Sequence, residues 1–172
     1  MQIKQIQYLF FTTLFSLILA GCASTTDPWG AQYEESVIPG KTKVLNMTGK
    51  STTDGATEIY FGASSRVEMM VTFKDRLIAF QLDGENLPGA KAGHSPTGYQ
   101  AVAVNPGVHT ISYCHTTKST LGSGVVMCDF VLKDFNFEPN ARYMVVGNID
   151  VRSGNSSGSQ TTSVRTKLLK LN

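Results

Sequence analysis

The chain has 172 residues, with 15 Lys and Arg against 13 Asp and Glu and a formal net charge of +2. Charge this close to balance, with no basic stripe, offers no electrostatic footprint for nucleic acid. The amino-terminal "MQIKQIQ" carries Lys4 and no acid, and "YLFFTTLFSLILA" (Tyr8 to Ala20) follows, broken only by Thr12, Thr13 and Ser16. A spanning helix needs roughly 20 apolar residues, more than this run supplies. A cationic start, a short apolar stretch and small residues at its end describe a secretory leader. The alternative, a buried helix, would show a polar face.

The leader ends in "LAGC", Leu19 to Cys22. This tetrad resembles the lipobox of bacterial lipoproteins. The resemblance implies cleavage before Cys22, a thiol joined to diacylglycerol, and an amine open to acylation. One acyl chain holds a protein to a bilayer only marginally and two hold it stably, so the partner implied at Cys22 is the lipid bilayer. Ala23 rather than Asp follows the cysteine. In Gram-negative lipoproteins that choice favours the outer membrane, facing the periplasm; another bacterial envelope surface is the alternative.

With residues 1–21 assigned to the leader, about 150 residues remain, enough for one domain with a core. Three cysteines are present. Lipid on Cys22 leaves Cys114 and Cys128, which an oxidising compartment would join as a disulfide. A metal site using Cys114, His115, Cys128 and His109 is the alternative, but it lacks paired Cys-x-x-Cys spacing and a clear fourth ligand. No metal or cofactor is expected.

Residues 22–41 form the acylated end and a tether, polar and marked by Pro28, Gly30, Pro39 and Gly40. The folded domain is expected over 42–172. "KVLNM" and "TEIYF" read as strands around a turn-rich link, and "RVEMMVTF" as one further strand with Val67, Met69, Val71 and Phe73 on one face. In "RLIAFQLDG", Ile78, Phe80 and Leu82 are expected to face the core before "DGEN" turns the chain. "LPGAKAGHSPTG" is a long loop. "YQAVAVNPGVHTISYC" reads as strand, reversal at Asn105-Pro106-Gly107, and return strand, with Ile111 and Tyr113 on one face. "GVVMCDFVLKDF" would pair with that strand. Placing Cys114 opposite Cys128 sets Tyr113 against Asp129 and Ile111 against Val131. "ARYMVVGNIDV", a polar tip at 153–163 and "VRTKLLKL" complete the pattern.

Many short strands, close turn signals and no long helix predict an all-β chain, an antiparallel β-sandwich in a single domain. The run "VAVNPGVHTI", with "QLDG" before it and "ARYMVVGNI" after it, resembles β-sandwich modules of the PEGA type and several bacterial lipoprotein families, over Arg76 to Val151. Those families imply a fold and supply no catalytic residues.

No Gly-x-Ser-x-Gly, His-Glu-x-x-His or phosphate-loop motif is present. His109 and His115, six residues apart on one strand, stand about 20 Å from each other. His94 beside Ser95 makes no catalytic pair without a third group. Two loops are candidates for binding: Glu85 to Gly98, with His94 inside it and Tyr99 next to it, and the 116–125 hairpin, which presents Lys118 and Leu121. The expected function is that of a non-enzymatic, membrane-anchored envelope protein docking onto another envelope protein or onto peptidoglycan. A module for a small ligand or glycan, lined by Tyr99 and Tyr113, is the alternative.

Overall fold

In "TEIYF" every residue but Glu58 is buried, and in "AVAV" all four are. Short apolar runs covered on both sides belong in the middle of a sheet, and there the fold places them. The computed structural model describes residues 37, 39–49, 54–68, 70–122, 124–153 and 160–171. The stretch read as a leader, Cys22, most of the stretch assigned to a tether and residues 154–159 of the expected polar tip lie outside them. Val37 is only 4% exposed, so the tether expected to run to residue 41 already contributes a packed side chain.

The strands are β1 (Leu45–Asn46), β2 (Thr57–Phe61), β3 (Ala63–Glu68), β4 (Val71–Leu82), β5 (Glu85–Asn86), β6 (Ala101–Val104), β7 (Gly107–Ser119), β8 (Gly124–Phe137), β9 (Arg142–Ser153) and β10 (Gln160–Lys170). They form two five-stranded sheets: β1-β6-β2-β9-β10, and β3-β4-β7-β8 with β5 on β4. The core between them is built from Ile59, Phe61, Val102, Val104, Tyr143 and Val145 of the first sheet and Leu77, Ala79, Ile111 and Tyr113 of the second. Aromatic rings bind the layers: Phe61 meets Tyr113 at 5.5 Å, and Tyr143 meets Phe135 at 5.6 Å and Phe137 at 5.3 Å. Such tilted and edge-on pairs add to the effect of burial alone. The fold is the expected β-sandwich.

Four local expectations need correction. The sheets are not wholly antiparallel, because β1 runs parallel to β6 and β2 parallel to β9. Parallel neighbours need a crossover, and the strands of the second sheet supply it between β2 and β9. "RVEMMVTF" is not one strand. It folds back between Glu68 and Val71, which stand opposite each other, with Met70 at φ +64.

The Asn-Pro-Gly sequence, too, makes no hairpin. β6 pairs within the first sheet and β7 within the second, so Gly107 at φ +134 carries the chain between layers. Finally, Leu77 and Ala79 point inward ahead of Phe80. A bulge between Ala79 and Gln81 inserts one residue and reverses the facing, which brings Phe80 and Leu82 to the side of Leu77 and Ala79. Ile78 alternates to the other face, where it is half-buried and still packs against core residues. The turn at Asp83-Gly84 has φ +50 and +86, the pair of positive values a type I′ hairpin turn requires.

Candidate functional site

The outer face of the second sheet carries the chemistry. On β4 the outward positions are Thr72, Lys74 and Arg76; on β7 they are Thr116 and Lys118. With Ser95 and Pro96 of the 85–98 loop and Val126 of β8, these residues line an open groove of about 830 Å³. Strand alternation puts the cations there: their neighbours Asp75, Leu77, His115 and Thr117 point the other way and are buried. Lys74 lies directly across from Lys118 in the register. Like charges in that relation repel. No acidic side chain lines the groove, and Lys74, Arg76 and Lys118 have no ion pair among the described residues. Thr72 and Thr120 stand among them, with Thr116, whose hydroxyl donates to the Arg76 carbonyl at 3.5 Å. The arrangement suits a phosphate- or carboxylate-bearing partner.

The 85–98 loop is tied down rather than free. Lys91 and Thr97 exchange backbone hydrogen bonds of 2.9 and 3.0 Å, and Ala79 and Tyr99 exchange two of 2.9 Å. The Tyr99 hydroxyl donates to the Pro88 carbonyl at 2.6 Å, and Leu87 and Ala90 are buried. His94 is exposed at the outer end of this strap, one residue from the groove. Tyr99 lines a separate depression of about 390 Å³ with Lys43 and Gln100. Gly98 is required, because a methyl group there would overlap the Ala79 carbonyl oxygen. Gly98→Ala is therefore expected to lower stability by about 1–3 kcal/mol, as overpacking does. Urea unfolding checks this, with a reduced midpoint and an unchanged slope.

Cys114 and Cys128 are joined as a disulfide, their Cα atoms 4.0 Å apart. The expected register holds on one side of the bridge, where His115 meets Met127. On the other side Tyr113 lies opposite Phe130 rather than Asp129, and Ile111 opposite Leu132 rather than Val131. An extra residue in β8 beside the bridge causes the slip. A second bulge sits at Asp134, φ +47. There the Thr110 hydroxyl donates to Asp134 Oδ1 and accepts from its backbone N–H, both at 3.1 Å. Lys118 and Leu121 are exposed at the end of this braced hairpin.

The remaining sequence candidates are dispersed. Tyr113 is a core residue, its hydroxyl 2.7 Å from Thr166 Oγ1, and lines neither the groove nor the depression beside Tyr99. The His109 ring lies 2.7 Å from Asp83 Oδ2 and 2.9 Å from the Asn105 carbonyl oxygen. Asp83 is exposed, and the slight desolvation that raises its carboxyl pKa is outweighed by the Thr110 N–H and His109, which hold it below its ordinary value. Among the described residues no three of His, Cys, Asp and Glu converge as metal ligands.

A buried polar cluster escaped the sequence reading. Asp75, 4% exposed, accepts from Thr117 Oγ1 at 2.6 Å and from Arg66 Nε at 3.1 Å. Nε2 of His115 stands 3.5 Å away, and both nitrogens of that buried ring lack a hydrogen-bond partner among the described residues. Burial pushes the Asp75 carboxyl up, but His115, Thr117 and Arg66 together more than offset it and hold it below its ordinary value. The adjoining cavity is about 10 Å³, on the scale of one water and closed to any larger substrate. The cluster is therefore part of the framework beneath the groove. The only sequence signal was a charge at an inward position of β4, visible once the facing of that strand is known. No family model, curated protein or solved structure matches this chain.

Proposed function

We propose that the chain is a non-enzymatic, lipid-anchored protein of the bacterial envelope, held at the outer membrane through acylated Cys22 and facing the periplasm. Its β-sandwich acts as a docking module for an envelope protein or for peptidoglycan. One observation carries the reading: an apolar leader ending in Leu19-Ala20-Gly21-Cys22 with Ala23 after it. The Cys114–Cys128 bridge agrees with an oxidising compartment. The cation- and hydroxyl-lined groove suits a partner rich in carboxylate or phosphate. Mass spectrometry of the amino-terminal peptide from the native host is expected to find Cys22 first and bearing two or three acyl chains, with Cys22→Ser abolishing the acylation. An uncut, unmodified terminus overturns the anchor.

A second reading, a glycan or small-ligand module, is supported by Tyr99 beside its 390 Å³ depression and by Ser95 and Pro96 on the groove. Calorimetric titration with envelope saccharides should then give binding that Tyr99→Ala reduces at least tenfold, the loss of about 1.4 kcal/mol. Heats indistinguishable from dilution dispose of it.

A further inference from the structure

Two hairpins end side by side at one margin of the second sheet. The turn joining β3 to β4 is followed by Val71 and Thr72, and the Thr120 N–H after β7 donates to the Thr72 carbonyl at 3.0 Å. Several large apolar side chains stand in solvent at this margin. Met70 is 97% exposed, Leu121 78% and Val67 69%, with Val125 and Val126 also exposed. Met70 occupies a left-handed backbone position, φ +64, in a hairpin turn where Gly, Asn or Asp is the ordinary choice. A bulky apolar side chain is thus held outward in a conformation that disfavours it. Large apolar side chains gathered in solvent at the ends of two neighbouring hairpins point to an interaction surface.

The unpaired cations adjoin that patch. Lys118 is three residues from Leu121 and Lys74 four from Met70, about 10 and 13 Å along their strands. Interfacial elements sink their apolar side about 5–10 Å into the boundary of headgroups and acyl chains. At that depth both ammonium groups reach the phosphate layer, and phosphates between them relieve the repulsion of the Lys74–Lys118 pair. A wall polymer or an acidic protein could neutralise the lysines, but a hydrated polymer would leave Met70 and Leu121 in water.

We infer that this margin is a second membrane contact: Val67, Met70 and Leu121 enter the interface of an anionic bilayer while Lys74, Lys118 and Arg76 face its phosphates. The contact does not require acylated Cys22, and it sets the orientation of the sandwich on the membrane.

The test uses the full chain with its single tryptophan removed by Trp29→Phe and a reporter introduced by Leu121→Trp. A companion reporter, Val108→Trp, sits at the opposite end of β7. On phosphatidylglycerol vesicles the Leu121→Trp emission is expected to move to shorter wavelength and to be quenched by bromine-labelled acyl chains. Val108→Trp should keep the emission of an indole in water. Lys74→Ala and Lys118→Ala should each lower the ratio of docked to free tip about fivefold, the equivalent of ~1 kcal/mol per cation. These positions are exposed, so the fold tolerates the changes. An unshifted Leu121→Trp reporter overturns the inference. So does a shift of equal size on phosphatidylcholine that is indifferent to both lysines, or one produced by purified cell-wall polymer without lipid. Co-sedimentation of the acylated chain with vesicles separates the two attachments: a chain that sediments with a wet tip refutes this contact alone, a docked tip on Cys22→Ser supports it, and an unacylated native amino terminus refutes the anchor alone.

Discussion

Asp75→Ala is expected to destabilise the folded protein by about 3–5 kcal/mol, the cost of breaking a buried charge pair from one side. Thr117 loses the acceptor it reaches at 2.6 Å, and Arg66 loses the carboxylate it binds at 3.1 Å. What remains to the guanidinium includes the face of Phe73, 4.5 Å from the ring centre. Asp75→Asn keeps the shape and an acceptor while removing the charge, and should cost less. In urea both variants should show a lower midpoint with an unchanged slope. A change within about 0.5 kcal/mol, typical of surface substitutions, would mean that the carboxylate is not buried in this cluster.

The same residue sets a dependence on pH. The carboxyl of Asp75 is held below its ordinary value of 3.8 in the folded chain. Between the folded and unfolded values the unfolded chain therefore binds more protons, and stability rises with pH. The contribution is fully present above about pH 5 and is lost as pH falls through the folded value. The stability gap between the native chain and Asp75→Asn should be level near neutrality and close progressively below about pH 4.

Removing the bridge with Cys114→Ala and Cys128→Ala together should cost about 3 kcal/mol, the loop-closure entropy returned to the unfolded chain by a ring of about 15 residues. The separation of the cysteines is 14. Reduction of the unaltered protein should produce a loss of similar size, because both treatments release the same constraint. Equal unfolding midpoints for the oxidised and reduced protein would refute it. Bridge and ladder close the same β7–β8 hairpin. Its inner positions Tyr113 and Ile111 are packed in the core, so the reduced protein should remain folded near neutral pH.

Elements whose residues agree with their surroundings on every count were legible in the sequence. "TEIYF" and "AVAV" are apolar and β-prone wherever they are placed, and the bridge needed only two strands of suitable spacing. Errors occur where one inserted or reversed residue changes the outcome. Met70 turns the chain without glycine or asparagine. Phe80 bulges β4, so that Leu77 and Ala79 face the core instead of Ile78, and the extra residue beside Cys128 moves Tyr113 onto Phe130. A period of two is exact only while the ladder is unbroken, and a bulge reverses every later position. Propensity along the chain carries no signal for which sheet a strand joins, and for that reason Asn105-Pro106-Gly107 looks the same whether it closes a hairpin or crosses between layers.

By itself the sequence determined the apolar start, the β class, and the two cysteines near enough in the chain to bridge neighbouring strands, because these depend on composition and short-range order. Only the tertiary structure decided that Lys74 would face Lys118 across two strands, that Asp75 would be buried on the opposite side, and that Met70 and Leu121 would share one margin. Those relations join residues some 40 to 50 positions apart, and hydrogen-bond register and sheet order bring them together.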